Sequence, residues 1–332
     1  MKITALVDVK NLTKVFLDKK NKREIRAVDG ISFKLNAGEI FGFLGPNGAG
    51  KTTTIRVLAG LLPPTSGYAS IFGQDIEKVG DRVRKHIGFL TENHGNYENL
   101  TVYENLHFFG SFYDIDDLDA RISAILEEIK LTDRKNMKVG KLSKGLKQRA
   151  ALARVLIHEP KIVFLDEPTA ALDPEAAVNV RNIIRTLKSK DKIIFINSHN
   201  LEEVQKVCDR VAILNKGKIL RMGSASELNK DIFGSQELLI KTKSPIPRDL
   251  LAAISDLDYI KNVRVDESLE ANLYLHLSNL ECYTPEIVKL LVNNNIPIME
   301  VRPQSHSLEE IYLTLMKETN EDLIISQNKE VE

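Results

Sequence analysis

The sequence is poor in cysteine, lacks tryptophan and has no net charge. Its two cysteines, Cys208 and Cys282, lie far apart and form no CxxC pair. This spacing argues against a disulfide scaffold or a cysteine zinc site, and it favours a reducing compartment. The 46 basic and 46 acidic residues cancel. A protein that binds nucleic acid or anionic lipid through its overall charge is therefore not expected.

Long apolar runs are also absent. The longest uncharged stretch, Val57–Gln74, is interrupted by a Pro-Pro-Thr-Ser-Gly turn, so no membrane span is predicted. The first twelve residues include Lys2, Asp8 and Lys10 and have no apolar core, so we expect no secretory signal. If the protein works at a membrane, something else must anchor it there.

The composition is that of an ordinary globular protein, with 43% apolar and 28% charged residues. A length of 332 residues suggests about two domains. Residues 1–234 carry 37 basic and 29 acidic groups, whereas residues 235–332 carry 9 and 17. Two segments of opposite charge are easier to explain as two domains than as one.

The first segment alternates strands with helices. Apolar runs such as Ile40–Leu44, Ile162–Leu165 and Ile193–Asn197 are separated by helical patterns, which predicts an α/β domain with a mostly parallel sheet. Residues 98–158 contain no strand-like run and include a capping box, Thr101-x-x-Glu104. We interpret this part as a helical insert in the sheet domain.

A different pattern begins near residue 236. Strand and helix signals follow one another in the order βαββαβ, which is typical of a ferredoxin-like α+β domain. Its second helix is predicted over Pro285–Asn293, and an amphipathic helix over Ser307–Lys317 follows the last strand. The acidic tail, residues 319–332, is predicted to be disordered.

The strongest chemical signal is a G-x-x-x-x-G-K-T pattern directly after the apolar run Ile40–Leu44. Glycines allow the backbone to wrap around polyphosphate oxygens, and a following helix adds positive potential. Lys51 is placed to neutralise phosphate, and the Thr52 hydroxyl to ligate Mg²⁺. An ordinary glycine-rich turn is the alternative. The candidate nucleotide-binding residues are Gly45, Pro46, Asn47, Gly48, Ala49, Gly50, Lys51, Thr52 and Thr53.

Two carboxylates follow the buried run Ile162–Leu165. Asp166 is placed to hold a metal through water, and Glu167 to orient or deprotonate the attacking water. A helix cap is the alternative for this acidic pair. His199 follows the next strand, and ligands gather at the carboxyl ends of parallel strands. We therefore expect His199 to bind the γ-phosphate or its water, whereas the other six histidines are expected to be structural or exposed.

With these residues in order, the chain resembles the ATP-binding cassette (ABC) ATPases, the motor subunits of ABC transporters. The segment Leu142–Arg149 resembles the signature motif of that family, and Ala171–Asp173 resembles its D-loop. The resemblance covers about residues 5–230. It implies a P-loop NTPase fold with a helical insert and an activity that hydrolyses ATP.

The resemblance also implies roles for individual residues. Ser143 and Gly145 would bind the γ-phosphate of an ATP held by a partner cassette, and Asp173 of the D-loop would be a further nucleotide-binding residue. Phe16 would stack on adenine, although core packing is the alternative. Glu92 would join Thr52 and Asp166 as a metal ligand. The implied cofactors are ATP and Mg²⁺. The implied partners are a second copy or paired cassette and a separate transmembrane permease, with the ATPase held at the cytoplasmic face of the membrane.

Three positions depart from the usual family pattern. Lys144 and Leu146 replace a glycine and a glutamine of the signature, and Glu92 replaces a glutamine. These substitutions resemble variants of the bacterial exporter-type branch, and residues 236–318 resemble the accessory domain of that branch. The sequence therefore predicts an ATPase domain over residues 1–234, with its helical subdomain at about 98–158, and an accessory or regulatory domain over 236–318.

Two other functions stay open at this point. A soluble ABC ATPase could act in translation or DNA repair, although one P-loop and no heptad run are found. A nucleotide-sensing module with little turnover is disfavoured by the intact Asp166, Glu167 and His199. The basic run Lys19–Arg23 lacks interleaved aromatics, so we interpret it as a solvated hairpin loop and expect no nucleic-acid partner.

Overall fold

The computed structural model describes residues 6–18, 22–78, 81–91, 95–233, 237–266, 271–304 and 306–317. These residues form two compact units, Met1–Gly223 and Ser224–Glu332. Among the helices of these ranges, none has the length and apolar composition that a transmembrane span requires. The acidic tail from residue 319 onward lies outside the described residues.

The first unit contains the predicted alternation of strands and helices. Its elements are β1 (Val7–Asp18), β2 (Arg23–Leu35), β3 (Ile40–Leu44), α1 (Lys51–Leu58), β4 (Ser66–Ile71), β5 (Gln74–Asp75), α2 (Asp81–Arg84), β6 (Ile87–Leu90), α3 (Val102–Gly110), α4 (Leu118–Glu128), α5 (Lys144–Leu156), β7 (Ile162–Asp166), α6 (Pro174–Thr186), β8 (Ile193–Ser198), α7 (Leu201–Val207), β9 (Arg210–Asn215) and β10 (Lys218–Gly223).

Two sheets build this unit. A six-stranded sheet has the order β10-β9-β3-β8-β7-β6, and every pair is parallel except β9 with β10. An antiparallel sheet has the order β2-β1-β4-β5. The predicted α/β fold with a mostly parallel sheet is therefore confirmed. The parallel order brings the carboxyl ends of β3, β7 and β8 side by side.

Aromatic side chains set the register of these central strands. Phe41 of β3 and Phe164 of β7 both pair with Phe195 of β8, so three rings stand in one row across the sheet. The ring centroids of Phe41 and Phe164 each lie 5.6 Å from that of Phe195. All three side chains are fully buried. A slip by one residue would turn this row to the other face of the sheet, so the register is strongly specified.

The helical insert begins at α3, where the predicted capping box forms. The Thr101 hydroxyl accepts a bond from the Glu104 amide at 3.1 Å, and the Glu104 carboxylate accepts one from the Thr101 amide at 2.7 Å. The apolar sides of α3, α4 and α5 pack together in one buried cluster that also includes residues of β6 and β7. This packing connects the insert to the parallel sheet.

The second unit has the predicted ferredoxin-like order. It contains α8 (Ala225–Phe233), β11 (Glu237–Thr242), α9 (Arg248–Ser255), β12 (Ile260–Val265), β13 (Asn272–Leu277), α10 (Leu280–Asn293), β14 (Ile298–Gln304) and a last helix over residues 308–317. The sheet is antiparallel with the order β12-β13-β11-β14.

Two boundaries differ from the sequence-based ones. Helix α10 begins at Leu280 and not at Pro285, because Asn279 caps it and Pro285 is accommodated inside the helix. The compact units divide after Gly223, whereas we expected the division at residue 234. Helix α8 is tied to the second unit, since the Asn229 side chain exchanges hydrogen bonds with the backbone of His306 at 2.9 and 2.8 Å.

Candidate nucleotide-binding site

The P-loop follows β3 and leads directly into α1. Gly50 caps the helix with a left-handed φ of 101°, and no side chain caps the first turn. A Cβ at Gly50 would lie 2.1 Å from the Ala27 carbonyl oxygen, so only glycine fits there. The uncapped amides at the start of α1 are donors for an anion.

Lys51 is the buried cation of this loop. Only 5% of the residue is exposed, and its ammonium donates to the carbonyl oxygens of Gly45 at 2.6 Å and Pro46 at 3.1 Å. Burial lowers the pKa of Lys51, and the nearby carboxylates of Glu167 and Asp166 oppose that shift. The loop thus holds a positive charge close to the acidic pair.

Thr52 and Asp166 form an oxygen pair where α1 meets the end of β7. The Thr52 hydroxyl donates to Asp166 Oδ1 at 3.3 Å, and Asp166 is 6% exposed. Hydroxyl and carboxylate oxygens are the hard donors that Mg²⁺ prefers, and Mg²⁺ commonly takes one or two carboxylates together with phosphate oxygens. The chemistry of this pair fits that ion. Glu92, the third predicted ligand, lies outside the described residues.

Glu167 and His199, which follow the ends of β7 and β8, lie in contact. One Glu167 oxygen, Oε1, accepts from the His199 amide at 3.1 Å and lies 2.8 Å from His199 Nδ1. The Ser198 hydroxyl donates to Oε2 at 3.4 Å. Glu167 has a left-handed φ of 52°, which is uncommon for a residue with a side chain and typical of functional positions.

Side chains of α5 and α7 hold the segment that follows Glu167, and a side chain of α6 holds the one from α7. Gln148 of α5 donates to the Pro168 carbonyl oxygen at 2.5 Å. Glu203 of α7 accepts from the Thr169 hydroxyl and, at 3.0 Å, from Arg181 of α6. These contacts do not follow from the sequence pattern. A glutamate and an arginine on separate helices carry no motif that would pair them before the fold is known.

The same cleft collects most of the predicted nucleotide-binding residues. Phe16 lies at the cleft with 38% of its surface exposed, and Ile25 lies there too. The described lining residues are Phe16, Ile25, Arg26, Ala27, Asn47, Gly48, Ala49, Gly50, Lys51, Thr52, Thr53, Asp166, Glu167, Ala170, Asn197 and His199. The predicted P-loop, acidic pair and histidine thus come together at one edge of the parallel sheet.

The residues predicted from the signature motif and the D-loop lie on other elements. Ser143 caps α5, and its hydroxyl accepts from the Leu146 amide at 3.4 Å. Gly145 packs so closely on α6 that a Cβ would lie 2.6 Å from the Ala176 methyl group. Asp173 caps α6 and accepts from the Ala176 amide at 2.8 Å. None of the three is among the described residues that line the cleft.

Comparison with known sequences identifies the family. The profile of the ABC transporter family matches residues 28–170. The bacitracin transport ATP-binding protein BcrA of Bacillus licheniformis is 34% identical, over 95% of this chain and 98% of its own length. The linearmycin resistance ATP-binding protein LnrL of Bacillus subtilis is 32% identical, over 89% of this chain and 95% of its own. The chain belongs to the ABC transporter family.

Solved ABC cassettes share the fold of the first unit. One is a dimer in a post-hydrolysis state bound to ADP and phosphate; it is 26% identical with a TM-score of 0.59 and covers 66% of this chain and 98% of its own. Another is cbiO1 from Clostridium perfringens, part of the transporter complex cbiONQ. It is 27% identical with a TM-score of 0.61, over 68% of this chain and 90% of its own.

The chain is therefore the ATP-binding and ATP-hydrolysing subunit of an ABC transporter complex. The predicted P-loop NTPase fold and ATPase activity are confirmed. The alternatives of an ATPase in translation or DNA repair and of a sensing module receive no support from these relatives.

Two glycines of the P-loop allow a matched test of its geometry. Gly48 and Gly50 both have positive φ, but a Cβ at Gly48 would meet no atom within 4 Å. We expect Gly48→Ala to lower the free energy of unfolding by about 1–2 kcal/mol, because alanine is strained at a left-handed φ. Gly50→Ala should cost about 1–3 kcal/mol more because its methyl group overlaps the Ala27 carbonyl. Denaturant unfolding without nucleotide measures both, and equal losses would contradict the close contact at Gly50.

Proposed function

We propose that two copies of this subunit close around Mg·ATP, hydrolyse it and thereby drive export through a separate permease. The observation that carries the proposal is the convergence of Lys51, Asp166, Glu167 and His199 at the ends of three adjacent strands. Each group matches a need of phosphoryl transfer: charge neutralisation, metal binding, and orientation of water.

Lys51 and the P-loop amides would bind the β- and γ-phosphates. The Lys51 ammonium now donates to two carbonyl oxygens of its own loop. Phosphate oxygens would replace those acceptors, so the Lys51 side chain would neutralise phosphate charge without a large movement. Phe16, beside Ile25 at the cleft, offers an exposed ring face for adenine.

Thr52 and Asp166 would hold Mg²⁺, which in such sites neutralises the charge that develops on the phosphates. Glu92 is the further ligand proposed from the family resemblance. Glu167 would act as the general base, since its carboxylate lies at the same strand end as Asp166 and its two oxygens are oriented by Ser198 and His199. His199 would in turn bind the γ-phosphate or the attacking water.

A second chain would complete the site. Ser143 and Gly145 stand at the start of α5, where a hydroxyl and helix amides can bind an anion, but they do not line their own chain's cleft. In the proposed dimer, they and Asp173 would face the ATP of the partner. A dimer among the solved cassettes supports this arrangement.

A partner complex is supported by cbiO1, which is part of a transporter complex, and export is supported by the relatives. Their names refer to bacitracin transport, linearmycin resistance and Nod factor export. We propose that this subunit lies on the inner face of the membrane, bound to a permease that selects the cargo. The unit Ser224–Glu332 would be an accessory domain that stabilises the dimer or regulates hydrolysis.

Replacing Glu167 by glutamine tests its role as the base. The amide keeps the shape but cannot accept the proton, so hydrolysis should fall by a factor of about 100 or more. The variant should still bind ATP, and in the presence of ATP it should accumulate as a dimer. Phosphate release, equilibrium nucleotide binding and size-exclusion chromatography measure these three effects.

Glu202→Gln is the matched control for that variant. Glu202 is exposed on α7 and pairs with Lys206, away from the cleft. Its replacement should leave hydrolysis unchanged. Turnover of Glu167→Gln at the parent rate would remove Glu167 from the proposed role.

Capture of the partner tests the link to a permease. The tagged full-length chain is purified in mild detergent from its native membrane, with and without ATP. We expect a multi-span membrane protein to co-purify in a fixed ratio to the ATPase. Recovery of ribosomes or DNA in place of a membrane protein would contradict the proposal.

A further inference from the structure

Asn197 is a buried polar residue in the centre of the site, and neither its role nor its presence there follows from the motifs. It lies near the end of β8, in register with Asp166 of β7 on one side and Phe43 of β3 on the other. Only 1% of the residue is exposed. A polar side chain is costly at such a position unless it is hydrogen-bonded.

The Asn197 amide joins the two residues that would hold the metal. Its Nδ2 donates to Asp166 Oδ1 and, at 3.2 Å, to Thr52 Oγ1. The Thr52 hydroxyl donates in turn to Asp166 Oδ1. The three side chains therefore form a closed triangle of hydrogen bonds in which Asn197 supplies two donors. An amide is neutral, so it orients the Asp166 carboxylate without cancelling the charge that attracts a cation.

The oxygen of the same amide has capacity for a further hydrogen bond. Asn197 Oδ1 is buried and has no hydrogen-bond partner among the described residues. Asn197 also lines the cleft together with Lys51 and Thr52. A buried acceptor without a donor lowers stability, so its presence at this place favours a role toward a bound group. Water held by a divalent cation is a donor of the right kind.

We propose that Asn197 is a positioning residue for the divalent cation of the nucleotide. Its Nδ2 holds Asp166 and Thr52 in the geometry that receives the ion, and its Oδ1 accepts from water on the ion. This inference rests on the proposed function, because it takes Thr52 and Asp166 as the metal-binding pair. Loss of a residue that hydrogen-bonds to metal ligands commonly weakens the affinity for the metal.

The test compares the affinity of the full-length chain for ADP with Mg²⁺ and with EDTA, since the ratio isolates the contribution of the metal. ADP is used so that ATP-driven dimer closure does not enter the measurement. For Asn197→Ala we expect the ratio to fall by about tenfold, while the affinity in EDTA stays unchanged. Asn197→Ser, which retains a hydroxyl donor, should recover part of the ratio.

Asn105→Ala is the matched control. Asn105 is also a buried asparagine, 2% exposed, whose Nδ2 donates to the Tyr97 and Thr101 carbonyl oxygens at 3.0 and 2.9 Å, remote from the cleft. Asn105→Ala should lower thermal stability and leave the ratio of the ADP affinities in Mg²⁺ and in EDTA unchanged. Equal weakening of ADP binding by Asn197→Ala in Mg²⁺ and EDTA, or an unchanged ratio, would overturn the inference.

The parent chain distinguishes failure of the proposed metal site from failure of the role of Asn197. If the parent chain binds ADP equally well in Mg²⁺ and in EDTA, the assignment of Thr52 and Asp166 to the metal fails, and the role of Asn197 fails with it. If the parent shows a metal-dependent gain that Asn197→Ala retains, only the role of Asn197 is lost.

Discussion

The site depends on the register of three parallel strands. Phe41, Phe195 and Phe164 stand in one buried row across β3, β8 and β7, and this row prevents the strands from sliding past each other. Because the strands are held in this register, their carboxyl ends stop at one edge of the sheet. Burial of three aromatic side chains, each among the largest apolar contributions to a core, thus fixes where the polar chemistry occurs.

At that edge, strain and charge are concentrated in a small volume. Lys51 is buried beside Asp166 and Glu167, Glu167 has a left-handed backbone, and α1 begins without a side-chain cap. Each feature lowers the stability of the fold and favours the binding of phosphate and metal. Gln148 and Glu203 contact the segment after Glu167, and Arg181 holds Glu203, so a change in α5, α6 or α7 can reach the proposed base.

The sequence predicted the parts of the site that are encoded locally. The P-loop, the acidic pair after β7 and His199 each follow a strand directly, so the strand pattern was enough to bring them together. Asn197 was missed because it is the last residue of an apolar run and belongs to no motif; its role depends on partners 31 and 145 positions away. Proline is common in the first turn of a helix, which favours Pro285 as the start of α10, but Asn279 supplies the cap and the helix begins at Leu280. The tie of α8 to the second unit depends on His306, which no local pattern reveals.

In the proposed dimer, each ATP site contains groups from two chains. The rate of ATP hydrolysis per chain, measured as the concentration of the purified subunit is raised, tests this shared site. If two copies form each site, the rate per chain rises with concentration and levels off once the dimer is saturated. If one chain contains the whole site, the rate per chain stays constant at every concentration, and the proposed shared site is contradicted.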